Sequence, residues 1–167
     1  ATVQWLVRDG GADPTKAASN GSLPLHFACE GGHLEVAQWL VAEGHADPGA
    51  TTNDGRTPLH FACRSGRLEV AKWLVAEGHA DRGATDKNGA TALHHACLNG
   101  CLEVARWLVA EGRADPDATD NNGWTALHYA CFKGNLEVVQ WLVAEGRADP
   151  GATTNNGGTA LHITCLN

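Results

Sequence analysis

Residues 54–87 read DGRTPLHFACRSGRLEVAKWLVAEGHADRGATDK, and this stretch decides the fold. Asp54-Gly55 is a turn signal. Thr57 is suited to cap a helix with Pro58 at its first position, where the missing N–H costs nothing. That short helix is predicted to run to about Ser65 and to end at Gly66. A second helix begins near Leu68 and carries Val70, Ala71, Trp73, Leu74 and Val75, an apolar stripe at helical spacing. Gly78 is expected to stop it. The stretch HADRGATDK then returns the chain to the next start as a turn or hairpin.

The pattern recurs on both sides of this stretch. Trp5, Trp39, Trp73, Trp107 and Trp141 stand one period of 34 residues apart. The period divides the chain into four full units, 20–53, 54–87, 88–121 and 122–155, with partial ones at 1–19 and 156–167. The chain opens inside one unit, closes inside another and contains no Met. These observations suggest a piece of a longer array. Self-similarity at this length means small units, none able to bury its apolar face without its neighbours. The expected fold class is therefore an all-α repeat, a solenoid of stacked helix-turn-helix units with hairpin-like loops. Such a stack offers one long surface rather than a closed pocket.

The net charge of −7 and pI near 5.6 argue against a general nucleic-acid binder, which carries a basic stripe. No apolar run approaches the roughly 20 residues that cross a bilayer. No secretory leader is visible. Five of the six cysteines, Cys29, Cys63, Cys97, Cys131 and Cys165, share one repeat position. Equivalent positions on packed helices lie about 8–10 Å apart, whereas a disulfide needs Cα atoms within about 7 Å. Free, buried thiols are expected, which favours a reducing, cytoplasmic setting.

Two helical families have repeats near this length. The tetratricopeptide repeat shares the period, but its connections are short and lack a hairpin. The Asn/Asp-Gly opening, the T-[PA]-L-H-x-A run, the G-x-L-E-V step and the G-x-A-D segment resemble the ankyrin repeat across the whole chain. That resemblance implies L-shaped units stacked into a curved solenoid, with hairpin tips and first helices on a concave side that typically grips another protein. The chain departs from the familiar unit by one inserted residue after the helix-ending glycine: Gly11, His45, His79, Arg113 and Arg147. A cationic residue there faces the negative helix end. The familiar Val-Asn pair becomes Pro14-Thr15, Pro48-Gly49, Arg82-Gly83, Pro116-Asp117 and Pro150-Gly151, so the hairpin is expected to be little more than a loop. The family's hydroxylated asparagine is absent. Leu23 replaces the capping Thr in the first full unit, at an expected cost of about 1 kcal/mol.

His26, His60, His94, His128 and His162 each precede a cysteine by three residues, a spacing that puts both side chains on one helix face. Such a pair is compatible with zinc binding or with a Cys–His nucleophile. A pair repeated in every unit serves the unit, whereas an active site is needed once. The histidine is expected to bond the local turn and the capping Thr. His94, His95, Cys97 and Cys101 cluster in the third full unit, and this cluster too is expected to hold no metal. The Trp ladder is read as core, and Glu35, Glu69, Glu103 and Glu137 as solvated helix residues. No Gly-rich phosphate loop, G-x-S-x-G or other catalytic pair is present, so neither catalysis nor a cofactor is expected.

Positions that differ between the copies are free to carry specificity. After the turn glycine come Ser22, Arg56, Ala90, Trp124 and Gly158; after the histidine, Phe27, Phe61, His95, Tyr129 and Ile163. Leu98 and Leu166 follow cysteines, as Phe132 does, and Asn99, Lys133 and Asn167 come next. Trp124, Tyr129, Phe132 and Leu98 are expected to form an aromatic, apolar patch edged by Lys133 and Asn99, a typical mark of a partner site. Arg56, Arg64 and Arg67 form a candidate basic spot for a carboxylate or phosphate. The expected function is a non-catalytic protein–protein interaction scaffold. The alternative is a self-associating solenoid built head-to-tail through incomplete terminal units.

Overall fold

The computed structural model describes residues 2–165; Leu166 and Asn167 lie outside it. Among the described residues ten helices follow in chain order. α1 spans Thr2–Arg8, and then come the pairs α2 (Pro24–Gly31) and α3 (Leu34–Ala42), α4 (Pro58–Arg64) and α5 (Leu68–Ala76). The pairs α6 (Ala92–Leu98) and α7 (Leu102–Ala110), α8 (Ala126–Phe132) and α9 (Leu136–Ala144) complete the stack, which closes on α10 (Ala160–Thr164). Each first helix packs on its own second helix and on the first helices before and after it, while second helices touch more lightly. The architecture is an all-α solenoid of stacked helix pairs, as expected.

Helix ends follow the local chemistry. Pro24 and Pro58 open α2 and α4 without losing a bond. The second helices end differently from the expectation that Gly78 provides the stop. The left-handed residue is the inserted one, with φ of 53° at His45, 54° at His79, 57° at Arg113 and 61° at Arg147. It turns the chain so that the next alanine N–H returns to the helix, as Ala80 does to the Leu74 carbonyl at 2.8 Å. Gly78 is needed for space instead: a Cβ there would lie 2.9 Å from the Leu74 carbonyl oxygen.

The interior is a pair of leucine ladders, one per helix layer. Leu25, Leu59, Leu93 and Leu127 of the first helices and Leu40, Leu74, Leu108 and Leu142 of the second are all at most 2% exposed. Each contributes about 2 kcal/mol of burial. Trp107 and Trp141 belong to this core, and Trp39 and Trp73 pack partly against it. Trp5 does not: it is 60% exposed, and α1 has no buried residue. The core reading of the ladder therefore does not extend to its first rung.

The return segments hold no strand among the described residues, only isolated bridges at Thr85–Thr91 and Thr153–Thr159. They are ordered by side chains. Asp47, Asp81 and Asp149 accept the N–H two residues on, at 2.8 Å each, an Asx turn. Successive turns hydrogen-bond along the stack, as Asn53 N–H to the Asn20 carbonyl at 2.9 Å and Asn121 N–H to that of Asn88 at 2.8 Å.

Candidate functional site

The framework histidine holds its own helix start and the next unit together. Thr57, Thr91 and Thr125 each donate their backbone N–H to Nδ1 of His60, His94 and His128 at 3.1 Å. The threonine hydroxyls reach the same nitrogens at 2.8–2.9 Å. With Nδ1 accepting, the ring proton sits on Nε2. From there His60 donates to the Ala90 carbonyl at 3.2 Å and His94 to that of Trp124 at 3.0 Å. Leu23 has no hydroxyl, yet its N–H still donates to His26 at 3.0 Å, so only half of the cap is lost. His128 Nε2 makes no hydrogen bond of ordinary geometry, although the Gly158 carbonyl still acts on the ring. Burial lowers the pKa of His26, His60, His94 and His128 and keeps these rings neutral.

The cysteines pack. Burial pushes the Cys29 thiol up to about 12 and raises those of Cys63 and Cys97, the opposite of nucleophile activation. In the third-unit cluster three of the four groups have separate partners, His94 the Trp124 carbonyl, His95 the Asp86 carboxylate and Cys101 the Arg64 carbonyl at 3.4 Å, while Cys97 is packed in the core. Among the described residues no group of three or more His, Cys, Asp or Glu side chains is arranged to hold a metal.

Residues after the histidine form an aromatic row along the first helices. Phe61, His95 and Tyr129 each stand edge-on to the framework histidine of the preceding unit, with ring centroids 5.2 Å apart. Two of these rings are tied to the turn. His95 Nε2 donates to Asp86 at 3.0 Å, and the Tyr129 hydroxyl to Asp120 at 2.9 Å. Burial drives His95 down to about 4, with His60 adding to the shift and Asp86 opposing it. Burial and the Asp120 carboxylate raise Tyr129.

The proposed aromatic patch is brought together in part. Trp124 lies 5.7 Å from Tyr129 and 5.8 Å from Phe132, edge to face, and Lys133 Nζ stands 5.5 Å over the Phe132 ring. Trp124 also packs against the core, so it supports the cluster, while Phe132 is 45% exposed. Leu98 is half-buried and Asn99 exposed at the end of α6, one layer away. The Asn99 amide turns back to the His95 carbonyl at 3.1 Å. The three arginines separate. Arg56 and Arg64 line one hollow between turns and first helices, together with Phe27 and Phe61. Arg67 caps α5 and lines a different hollow beside Gly31 and Gly32, donating to the Glu30 carbonyl at 3.0 Å.

A family model for ankyrin repeats, in three copies, matches residues 1–81 and 73–154. The chain belongs to the ankyrin-repeat family. No match was found among curated proteins. Ankyrin repeats generally mediate protein–protein interaction and typically act as non-enzymatic scaffolds. Among the described residues no helix is long and apolar enough to cross a membrane.

In this ankyrin-repeat chain the groups that sequence reading missed are Asp86 and Asp120. A signal for them exists in the copies themselves. Aspartate stands nine residues before His95 and Tyr129, whereas Thr52 and Thr154 stand nine before Phe61 and Ile163. A hydrogen-bonding ring and its carboxylate change together.

Proposed function

We propose that this ankyrin-repeat chain is a non-catalytic scaffold that binds another protein on the concave face formed by its turns and first helices. The Trp124–Tyr129–Phe132 cluster carries the reading: Trp124 stands in edge contact with both Tyr129 and Phe132, and an exposed Phe132 lies under the Lys133 ammonium. Rigid aromatic anchors with a polar edge are what protein interfaces concentrate their binding energy on. A preformed stack also loses little ordering entropy on binding. The buried free thiols Cys29, Cys63, Cys97 and Cys131 favour a reducing compartment such as the cytoplasm. The test replaces Trp124 and Phe132 together by Ala and measures affinity for an identified partner. A loss of about tenfold or more is expected, and a change within about twofold removes the patch as anchor.

A second reading, head-to-tail self-association, is favoured by the exposure of Trp5 (60%) and Leu6 (45%) on α1 and of Leu161 (72%) on α10. Light scattering across a dilution series separates the two: a monomer at every concentration eliminates it.

A further inference from the structure

Successive layers of the stack share one framework, so the side chains at their edges decide how firmly each junction is held. The leucine ladders recur in every full unit. His26, His60 and His94 each donate across to the next turn, to the Arg56, Ala90 and Trp124 carbonyls at 3.2, 3.2 and 3.0 Å. In a linear array stability is a sum of unit and junction terms, and the weakest junction opens before the rest.

At the turn edge one backbone bond recurs. The N–H groups of Asn53, Lys87, Asn121 and Asn155 donate to the carbonyls of Asn20, Asp54, Asn88 and Asn122 at 2.8–2.9 Å. The three asparagines add a second bond through the side-chain amide, to the Ser19, Lys87 and Asn121 carbonyls at 3.1, 3.1 and 3.0 Å. The Lys87 side chain makes no such bond among the described residues. At the opposite edge, the residue before each second helix reaches back to the end of the preceding first helix. Arg67 Nε donates to the Glu30 carbonyl at 3.0 Å, and the Asn135 amide to the Cys97 and Leu98 carbonyls at 2.9 and 3.0 Å. Cys101 offers only a thiol, a weak donor, 3.4 Å from the Arg64 carbonyl.

Both weakened edges belong to the same junction, between the α4–α5 pair and the α6–α7 pair. The ion pair that crosses it, Arg56 with Asp86, stands at 3.7 Å, beyond hydrogen-bond distance. The next junction is the opposite case. Besides its two asparagines, Arg106 pairs with Glu145 at 3.3 Å, and the Asp149 N–H donates to the Asp117 carboxylate at 2.8 Å.

We propose that the junction marked by Lys87 and Cys101 is a built-in seam, at which the stack parts as two blocks, one ending with α5 and one beginning with α6. The seam lies between the hollow of Arg56 and Arg64 and the Trp124–Phe132 cluster, so its opening changes the spacing of the two halves of the face of turns and first helices. This holds whatever partner that face takes.

The four equivalent turn N–H groups allow a test by amide hydrogen exchange followed by NMR. Corrected for intrinsic rates, the Lys87 N–H is expected to exchange about tenfold faster than those of Asn53 and Asn121. Cys101→Asn copies Asn135, and it has room, since Gly66 is left-handed like Gly100, against which Asn135 lies. Made alone, at the far edge of the layer, it is expected to slow Lys87 exchange about threefold. Lys87→Asn with Cys101→Asn should bring position 87 within about twofold of Asn121. The reverse exchange, Asn121→Lys with Asn135→Cys, should move the fast site to position 121. Equal protection of the Lys87 and Asn121 N–H groups in the unmodified protein overturns the seam. A Lys87 rate indifferent to Cys101→Asn does so too, because it marks fraying of one turn rather than parting of two layers.

Discussion

The turns at 52–56 and 86–90 have the same backbone hydrogen bonds but different chemistry. In the first, Thr52 Oγ accepts the Arg56 N–H at 3.2 Å. In the second, one carboxylate oxygen of Asp86 accepts the N–H groups of Asn88 and Ala90 at 2.9 and 3.0 Å. Threonine has then spent its oxygen, and the ring nine residues on is the apolar Phe61. Aspartate has a second oxygen left, and it takes His95. Asp120 repeats the device with Tyr129. A polar ring is admitted to the buried row only where the turn supplies its acceptor. The scaffold can therefore vary this row of rings while keeping each polar ring paired.

The largest effect should come from breaking the aspartate turn. Asp86→Ala leaves His95 buried without its acceptor and two turn N–H groups unpaired, an expected loss of about 3 kcal/mol in urea unfolding. Thr52→Ala should cost about 1 kcal/mol. Equal losses would erase the distinction between the two turns.

Acid should find the same difference. His95 titrates near 6.5 when unfolded and at about 4 in the fold. The fold binds fewer protons in that window, so the stability that neutral His95 brings is present above 6.5 and drains away as pH falls through about 4. Its share is about 3 kcal/mol, added to that of the framework histidines, whose pKa values are also lowered by burial. His95→Phe paired with Asp86→Thr, the second unit's solution moved to the third, should flatten this part of the pH–stability curve. At neutral pH the pair should recover all but about 1 kcal/mol, with a coupling of about 2 kcal/mol in the double-mutant cycle. Strict additivity contradicts the pairing.

The smallest effect lies at helix ends, where the two units do not differ. His45→Gly and His79→Gly relieve left-handed φ values of 53° and 54°. Each should raise stability by about 0.5 kcal/mol, the gain in freedom from steric strain being partly offset by glycine's entropy. Thermal melts should show the same rise for both; unequal rises would extend the difference beyond the turns.

Much of the fold was readable from residues alone. Thr57-Pro58 opens α4 and Leu68 opens α5 as expected, because caps, proline and apolar spacing act within one or two turns of helix. Gly78 was misread because glycine after a helix usually takes the left-handed position, and here the inserted His79 takes it. Of the candidate site, Trp124, Tyr129, Phe132 and Lys133 meet because they share one unit. Arg67 leaves Arg56 and Arg64 because Gly66, left-handed at φ 70°, turns the chain between the helices before it.

By itself the sequence determined the period, the helix pairs, the apolar stripe of the second helices and the framework role of His60 and its copies, all of which follow from spacing inside a single unit. Only the tertiary structure decided that Trp5 is exposed while Trp141 is buried, that Asp86 serves His95, and that Arg56 and Arg64 share a hollow with Phe27. In a stacked protein each side chain finds half of its surroundings on the neighbouring layer. Contacts across layers join residues a full repeat apart, where no local preference reaches.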